Sequence, residues 1–171
     1  MREQIESAAA ALIGKALWTS RRAADMATFQ FGERKNVVDY FERPSDVGEY
    51  ALHVQCAWRI VRAEEVVVGS RDLYYPAEHE NADEQLPTDF DWDRDPNRRD
   101  KLLRSLFEDW TRELVVQSVE AGVAGSLRIL FSDNLALEIF PDDSLNHERW
   151  RLFRPEVDEP HFVVTARGVQ H

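Results

Sequence analysis

A chain of 171 residues has room for one domain, or two small units tightly fused, and is long enough to bury a real core. With 43% hydrophobic residues it has no apolar run near the ~20 residues of a membrane-spanning helix, and its single cysteine, Cys56, precludes an internal disulfide. A formal charge of -11 argues against a general nucleic-acid binder, because phosphate neutralisation needs clustered Lys and Arg. The opening Met1-Arg2-Glu3-Gln4-Ile5-Glu6 is too acidic for a secretory signal, and with the lone cysteine it points to a reducing cytoplasm.

In chain order, Ile5, Ala8, Ala9, Leu12 and Ile13 recur at helical spacing, with Gly14 placed to end the helix. "ATFQF" (27–31) reads as a strand. Leu52, Val54, Cys56, Trp58 and Ile60 then alternate with His53, Gln55, Ala57, Arg59 and Val61, the period of an antiparallel strand with one face on the core. "EVVVG" (65–69) is a further strand. The stretch 75–95 is polar and irregular, a linker. A second helix is expected to start at Asp95-Pro96, a capping carboxylate followed by proline, with Leu102, Leu103, Leu106, Phe107 and Trp110 as its apolar stripe. "ELVVQSVEAG" (113–122) and "HFVVTA" (161–166) read as strands, and "LRILFSDNLALEIF" as a hairpin turning at Asp133-Asn134.

One phrase is spelled twice. Ser45-Asp46, Ala51-Leu52-His53-Val54, Trp58-Arg59-Ile60-Val61-Arg62 and Val67-Val68-Gly69-Ser70-Arg71 are matched, in order, by Ser132-Asp133, Ala136-Leu137-Glu138-Ile139, Trp150-Arg151-Leu152-Phe153-Arg154 and Val163-Val164-Thr165-Ala166-Arg167. The expected fold is therefore α+β, predominantly antiparallel sheet, in a single domain of two helix-plus-meander pseudo-repeats. These cover 1–74 and 96–171, joined by the acidic linker 75–95, and an internal duplication would place Trp58 and Trp150 at equivalent positions.

The segment from Leu127 to Gly168, sharpest at Pro141-Asp142-Asp143, Glu148 and Trp150, resembles a family of small uncharacterised bacterial domains that also carry an earlier strand like "ALHVQCAWRI". No catalytic residues are established for that family; the suspicion that some members neutralise toxins implies a protein partner.

The strongest local pattern is "DFDWDRDPNRRD" (89–100). Asp89, Asp91, Asp93, Asp95, Asn97 and Asp100 match the ligand spacing of a calcium loop, but Arg94 stands where the sharp turn needs glycine, Pro96 interrupts, and no helix precedes. Solvated carboxylates with Asp95 as helix cap are the simpler reading, so no metal and no cofactor is expected. Cys56, between Val54 and Trp58 on an apolar face, reads as an inert thiol. The histidines at 53, 79, 147, 161 and 171 show no zinc spacing, and "GVAGS" (122–126) lacks the lysine of a phosphate loop and reads as a flexible turn.

Two candidate surfaces remain. Phe90 and Trp92, ringed by Asp89, Asp91 and Asp93, form an aromatic patch in a stretch (78–95) with eight carboxylates against one arginine, a net of -7. It suits a basic macromolecular partner and a mobile connection; packing of Trp92 back onto the sheet is the structural alternative. Arg59 and Arg151 invite either cross-strand ion pairs, with Glu64, Glu138 or Glu156, or an anion site shared by the repeats. The expected function is a non-catalytic binding protein, immunity-like or accessory, with a protein partner and neither nucleic acid nor membrane. The alternative is an enzyme or small-anion-binding protein whose pocket lies between the halves.

Overall fold

The computed structural model describes residues 1–38, 42–81, 83–108 and 113–170. Its elements follow the order α1 (Arg2–Ala9), β1 (Ala16–Ala23), β2 (Met26–Phe31), β3 (Lys35–Val38), β4 (Pro44–Val47), β5 (Tyr50–Val54), β6 (Ala57–Arg62), β7 (Glu65–Gly69), α2 (Arg98–Glu108), β8 (Leu114–Ala121), β9 (Leu127–Phe131), β10 (Leu135–Phe140), β11 (Glu148–Phe153), β12 (Phe162–Thr165) and β13 (Gly168–Gln170). The expected α+β class holds: among the described residues two helices accompany an antiparallel sheet of eleven strands in the order β13-β12-β11-β5-β2-β1-β8-β9-β10-β6-β7, and β3–β4 forms a separate hairpin.

The sheet folds over on itself. β5 and β6 are joined by two residues yet lie far apart in strand order, and Phe29 of β2 meets Trp58 of β6 edge-on at 5.2 Å while Phe31 stacks on Phe131 of β9 at 6.5 Å. The enclosed core holds both Trp58 and Trp150, each large aromatic contributing about 2–3 kcal/mol of burial. This corrects the single strand expected over 52–60. The inward phase runs unbroken through Leu52, Val54, Cys56, Trp58 and Ile60, but the chain turns at Gln55-Cys56, where Gln55 N–H donates to the Arg149 carbonyl, and crosses to the other half of the sheet. Alternation reports which side chains face inward; it does not report a corner.

Leaving aside β13 and the β3–β4 hairpin, the strand order reads the same when β1, β2, β5, β6 and β7 are exchanged with β8, β9, β10, β11 and β12. Register follows: Trp58 lies opposite Ile139, and Trp150 opposite Val54. The bulge between Leu17 and Thr19 on β1 has its counterpart between Val116 and Ser118 on β8. Two of the repeated matches do not coincide in space. Ile60 faces Val68 where Leu152 faces Phe162, so the Val-Val pairs are two residues out of step, and Ser45-Asp46 lies in β4 whereas Ser132-Asp133 forms a turn.

Ile5, Ala9 and Leu12 seat the first helix and the 3-10 turn after it, while Ile13 is exposed. The cap of α2 is Asn97 rather than Asp95. Asn97 Oδ1 accepts from Asp100 N–H and its amide donates to Asp100 Oδ2, a reciprocal pair, while Asp95 is turned back to accept from Asp91 N–H. Trp110 and His171 lie outside the described residues. The "GVAGS" turn is gripped rather than loose: Gly125, at φ +83°, gives its carbonyl to the buried Trp150 indole N–H at 2.8 Å.

Candidate functional site

Strand β1, "ALWTSRRA", carries little apolar pattern and was not expected as a strand. It pairs with β2 along its length but, among the described residues, with β8 only at Ala16 and Leu17. α2 packs beside β1. Between them lies a cleft of about 540 Å³ bordered by five arginines, Arg21, Arg22, Arg34, Arg99 and Arg104, and three carboxylates, Asp46, Asp100 and Glu108. Trp18, Leu103 and Phe107 give it an apolar wall.

Arg99 is the unusual member. Its side chain is 1% exposed, on the stripe that Leu103 and Phe107 continue at helical spacing. One guanidinium nitrogen, Nη1, donates to the Asp25 carbonyl at 3.0 Å; Nε and Nη2 have no hydrogen-bond partner, and Asp100 approaches Nε only to 3.9 Å. Burial pushes this guanidinium below its ordinary value, with Asp100 opposing and Arg22 reinforcing the shift. Two more buried polar atoms on the same cleft, Trp18 Nε1 and Ser20 Oγ, also lack partners. Buried polar groups are nearly always satisfied, and of the eight side chains that depart from this among the described residues three border this one cleft.

The other arginines divide into held and free. Arg22 is saturated: Nε donates to Asp100 Oδ2 at 3.0 Å, Nη1 to Asp93 Oδ1 at 2.8 Å and Nη2 to the Asp93 carbonyl at 2.8 Å. Arg21 reaches the Asp46 carbonyl at 2.9 Å. Arg34 lies over the Trp18 ring at 4.4 Å; among the described residues neither it nor Arg104 makes an ion pair, and both are exposed.

The exchange-related place, between α1 and β8, is built differently. There Ala9 is fully buried, Glu6 accepts from Ala121 N–H at 3.3 Å, and Arg2 reaches Glu120 at 3.7 Å. The arginine cleft belongs to one side of the pseudo-symmetric sheet.

The residues singled out from sequence are dispersed. Arg59 pairs with Glu138 at 2.7 Å, which Arg128 shares at 3.2 Å, and Arg151 pairs with Glu148 at 3.1 Å, not with Glu64 or Glu156. Arg59 and Arg151 stand on separate strands, β6 and β11, each held by its own glutamate. Trp92 packs edge-on against Tyr74 at 5.5 Å and is half-buried with Phe90. Asp93 is taken by Arg22, and Asp91 Oδ1 accepts from Asp93 N–H, while Asp89 stays exposed. The connection expected to be mobile is fastened at both ends: His79, buried, stacks on Tyr75, Arg98 donates to its carbonyl at 2.7 Å, and Pro76 bridges to Asn97. Burial pushes the Cys56 thiol up to about 12, as an inert sulfur requires.

Among the described residues no group of three or more His, Cys, Asp or Glu could hold a metal ion, and no helix is long and apolar enough to cross a membrane. Sequence reasoning missed the cleft, although one signal was present: Arg99 is a charge on the apolar stripe of its helix. No family model, no curated protein and no solved structure matches the chain.

Proposed function

We propose that the protein binds a small anionic ligand in the cleft between β1 and α2. The observation that carries this reading is Arg99, a fully buried guanidinium whose Nε and Nη2 are unpartnered among the described residues, beside a cavity rimmed by Arg34 and Arg104, which make no ion pair among those residues. That pair of N–H groups forms one edge of the guanidinium fork, the geometry that takes two oxygens of a carboxylate or phosphate. The cleft joins a strand of the first half to the helix of the second, and the invariance of strand order under exchange supports reading the halves as copies of one unit, one of which acquired the site. Titration calorimetry with inorganic phosphate, sulfate and citrate tests the reading. Saturable binding that weakens at least tenfold in Arg104→Ala supports it; absence of any saturable anion overturns it.

A second reading, a basic protein partner at the acidic connection, is favoured by Glu80, Asp83 and Asp89, which make no ion pair among the described residues and belong to the same acidic stretch as half-buried Phe90 and Trp92. Charge reversal at Asp83 and Asp89 would abolish a salt-sensitive pull-down if it holds.

A further inference from the structure

We infer that the ligand is a phosphate monoester that also bears a planar aromatic ring, an inference that rests on the cleft being an anion site. The cavity, about 540 Å³, is several times what a bare tetrahedral oxyanion fills and falls in the range of sites for whole organic molecules. Its lining is divided in kind. Arg99 and Arg104 supply donors for oxygens, while Trp18, Leu103 and Phe107 supply apolar surface for a body attached to them. Arg34 joins the two regions. Its guanidinium lies on the indole of Trp18 at 4.4 Å, is exposed, and makes no ion pair among the described residues. The guanidinium remains exposed beside the cleft, and on such a planar cationic face a flat π-system stacks with least loss of hydration, because a guanidinium is weakly hydrated above and below its plane. An aliphatic anion would fill the same volume without using that face.

The unpartnered Trp18 Nε1 and Ser20 Oγ fit the same assignment. A monoester offers three non-bridging oxygens, enough to engage the Arg99 edge and further donors, where a single carboxylate offers two. Planar-ring phosphates come as nucleoside monophosphates or as aryl phosphates, and the experiment separates them.

The full chain is titrated with inorganic phosphate, cyclohexyl phosphate, phenyl phosphate and adenosine monophosphate, in the unsubstituted protein and in Arg34→Lys, whose exposed position leaves the fold intact. Phenyl phosphate and adenosine monophosphate are expected to bind about tenfold or more tightly than the other two, in line with stacking contributions to ring recognition. The tighter of the pair assigns the source. Arg34→Lys, which keeps the charge and removes the plane, should erase that preference, so that phenyl and cyclohexyl phosphate bind this variant within about twofold of each other. Equal binding of phenyl and cyclohexyl phosphate overturns the ring assignment and leaves the anion site standing. No saturable binding of any of the four overturns the anion site itself.

Discussion

Arg99 carries a charge into a position whose helical spacing calls for an apolar side chain, and two of its nitrogens are left without partners there. An unsatisfied buried donor costs about 1–3 kcal/mol. Arg99→Met, similar in volume and free of charge, is therefore expected to stabilise the unliganded protein by about 1 kcal/mol, near 3 °C in unfolding midpoint. It should also abolish any stabilisation by phosphate. A midpoint lowered by Arg99→Met would mean that the guanidinium serves the fold. His53 makes a second prediction. It lies opposite Arg151 on β11 and edge-on to Phe153 at 4.8 Å. Burial, then the charges of Arg151 and His161, hold it down to about 4 from 6.5. Its neutral form is the one the fold accepts, so its contribution is complete above pH 6.5 and is lost as pH falls towards 4. Roughly 2 kcal/mol should disappear across that window in denaturant titrations, and His53→Gln should flatten the slope.

At the scale of elements, Gly48 shows how closely the connection between β4 and β5 passes the main sheet. A Cβ there would meet Phe31 O at 2.6 Å and Phe31 N and Tyr50 O at 2.8 Å, all backbone atoms that cannot swing aside. Gly48→Ala should cost about 2 kcal/mol or more, read from chemical denaturation. The acidic stretch behaves as an element too. Asp93 is bound to Arg22, Asp91 and Asp95 close turns on their own backbone, and Asp100 serves Asn97 and Arg22. Carboxylates so engaged do not converge on a cation, and a calcium titration should release no heat of tight binding. A micromolar site lost in Asp89→Ala and Asp93→Ala would overturn this.

For the whole molecule, the pairing partners decide cooperativity. β5 pairs with β11 and β6 with β10, so strands from each half of the chain complete the sheet of the other. Fragments 1–74 and 96–171 should each be unfolded alone by circular dichroism, because each would expose unpaired strand edges and a divided core. Mixed together, they should regain strand signal. Independent folding of either fragment would show that the halves are separable.

The residues themselves determined the periodic parts. The first helix, the 127–140 hairpin with its positive-φ Asp133 and Asn134, and the inward set from Leu52 to Ile60 follow from short-range spacing and turn chemistry. The burial of Cys56 follows as well, since its apolar phase fixes it. What only the tertiary structure decided was the corner at Gln55-Cys56, the interlocking of the two halves, and the site. Trp18, Ser20, Arg34 and Arg99 stand on three different stretches of chain with no spacing that links them, and β1 lacks apolar alternation because part of it borders a cleft rather than a core. Local sequence encodes which side chains turn inward. The direction in which the sheet bends, and hence which buried donors end up beside a shared cavity, is set by long-range strand pairing that no window of sequence contains.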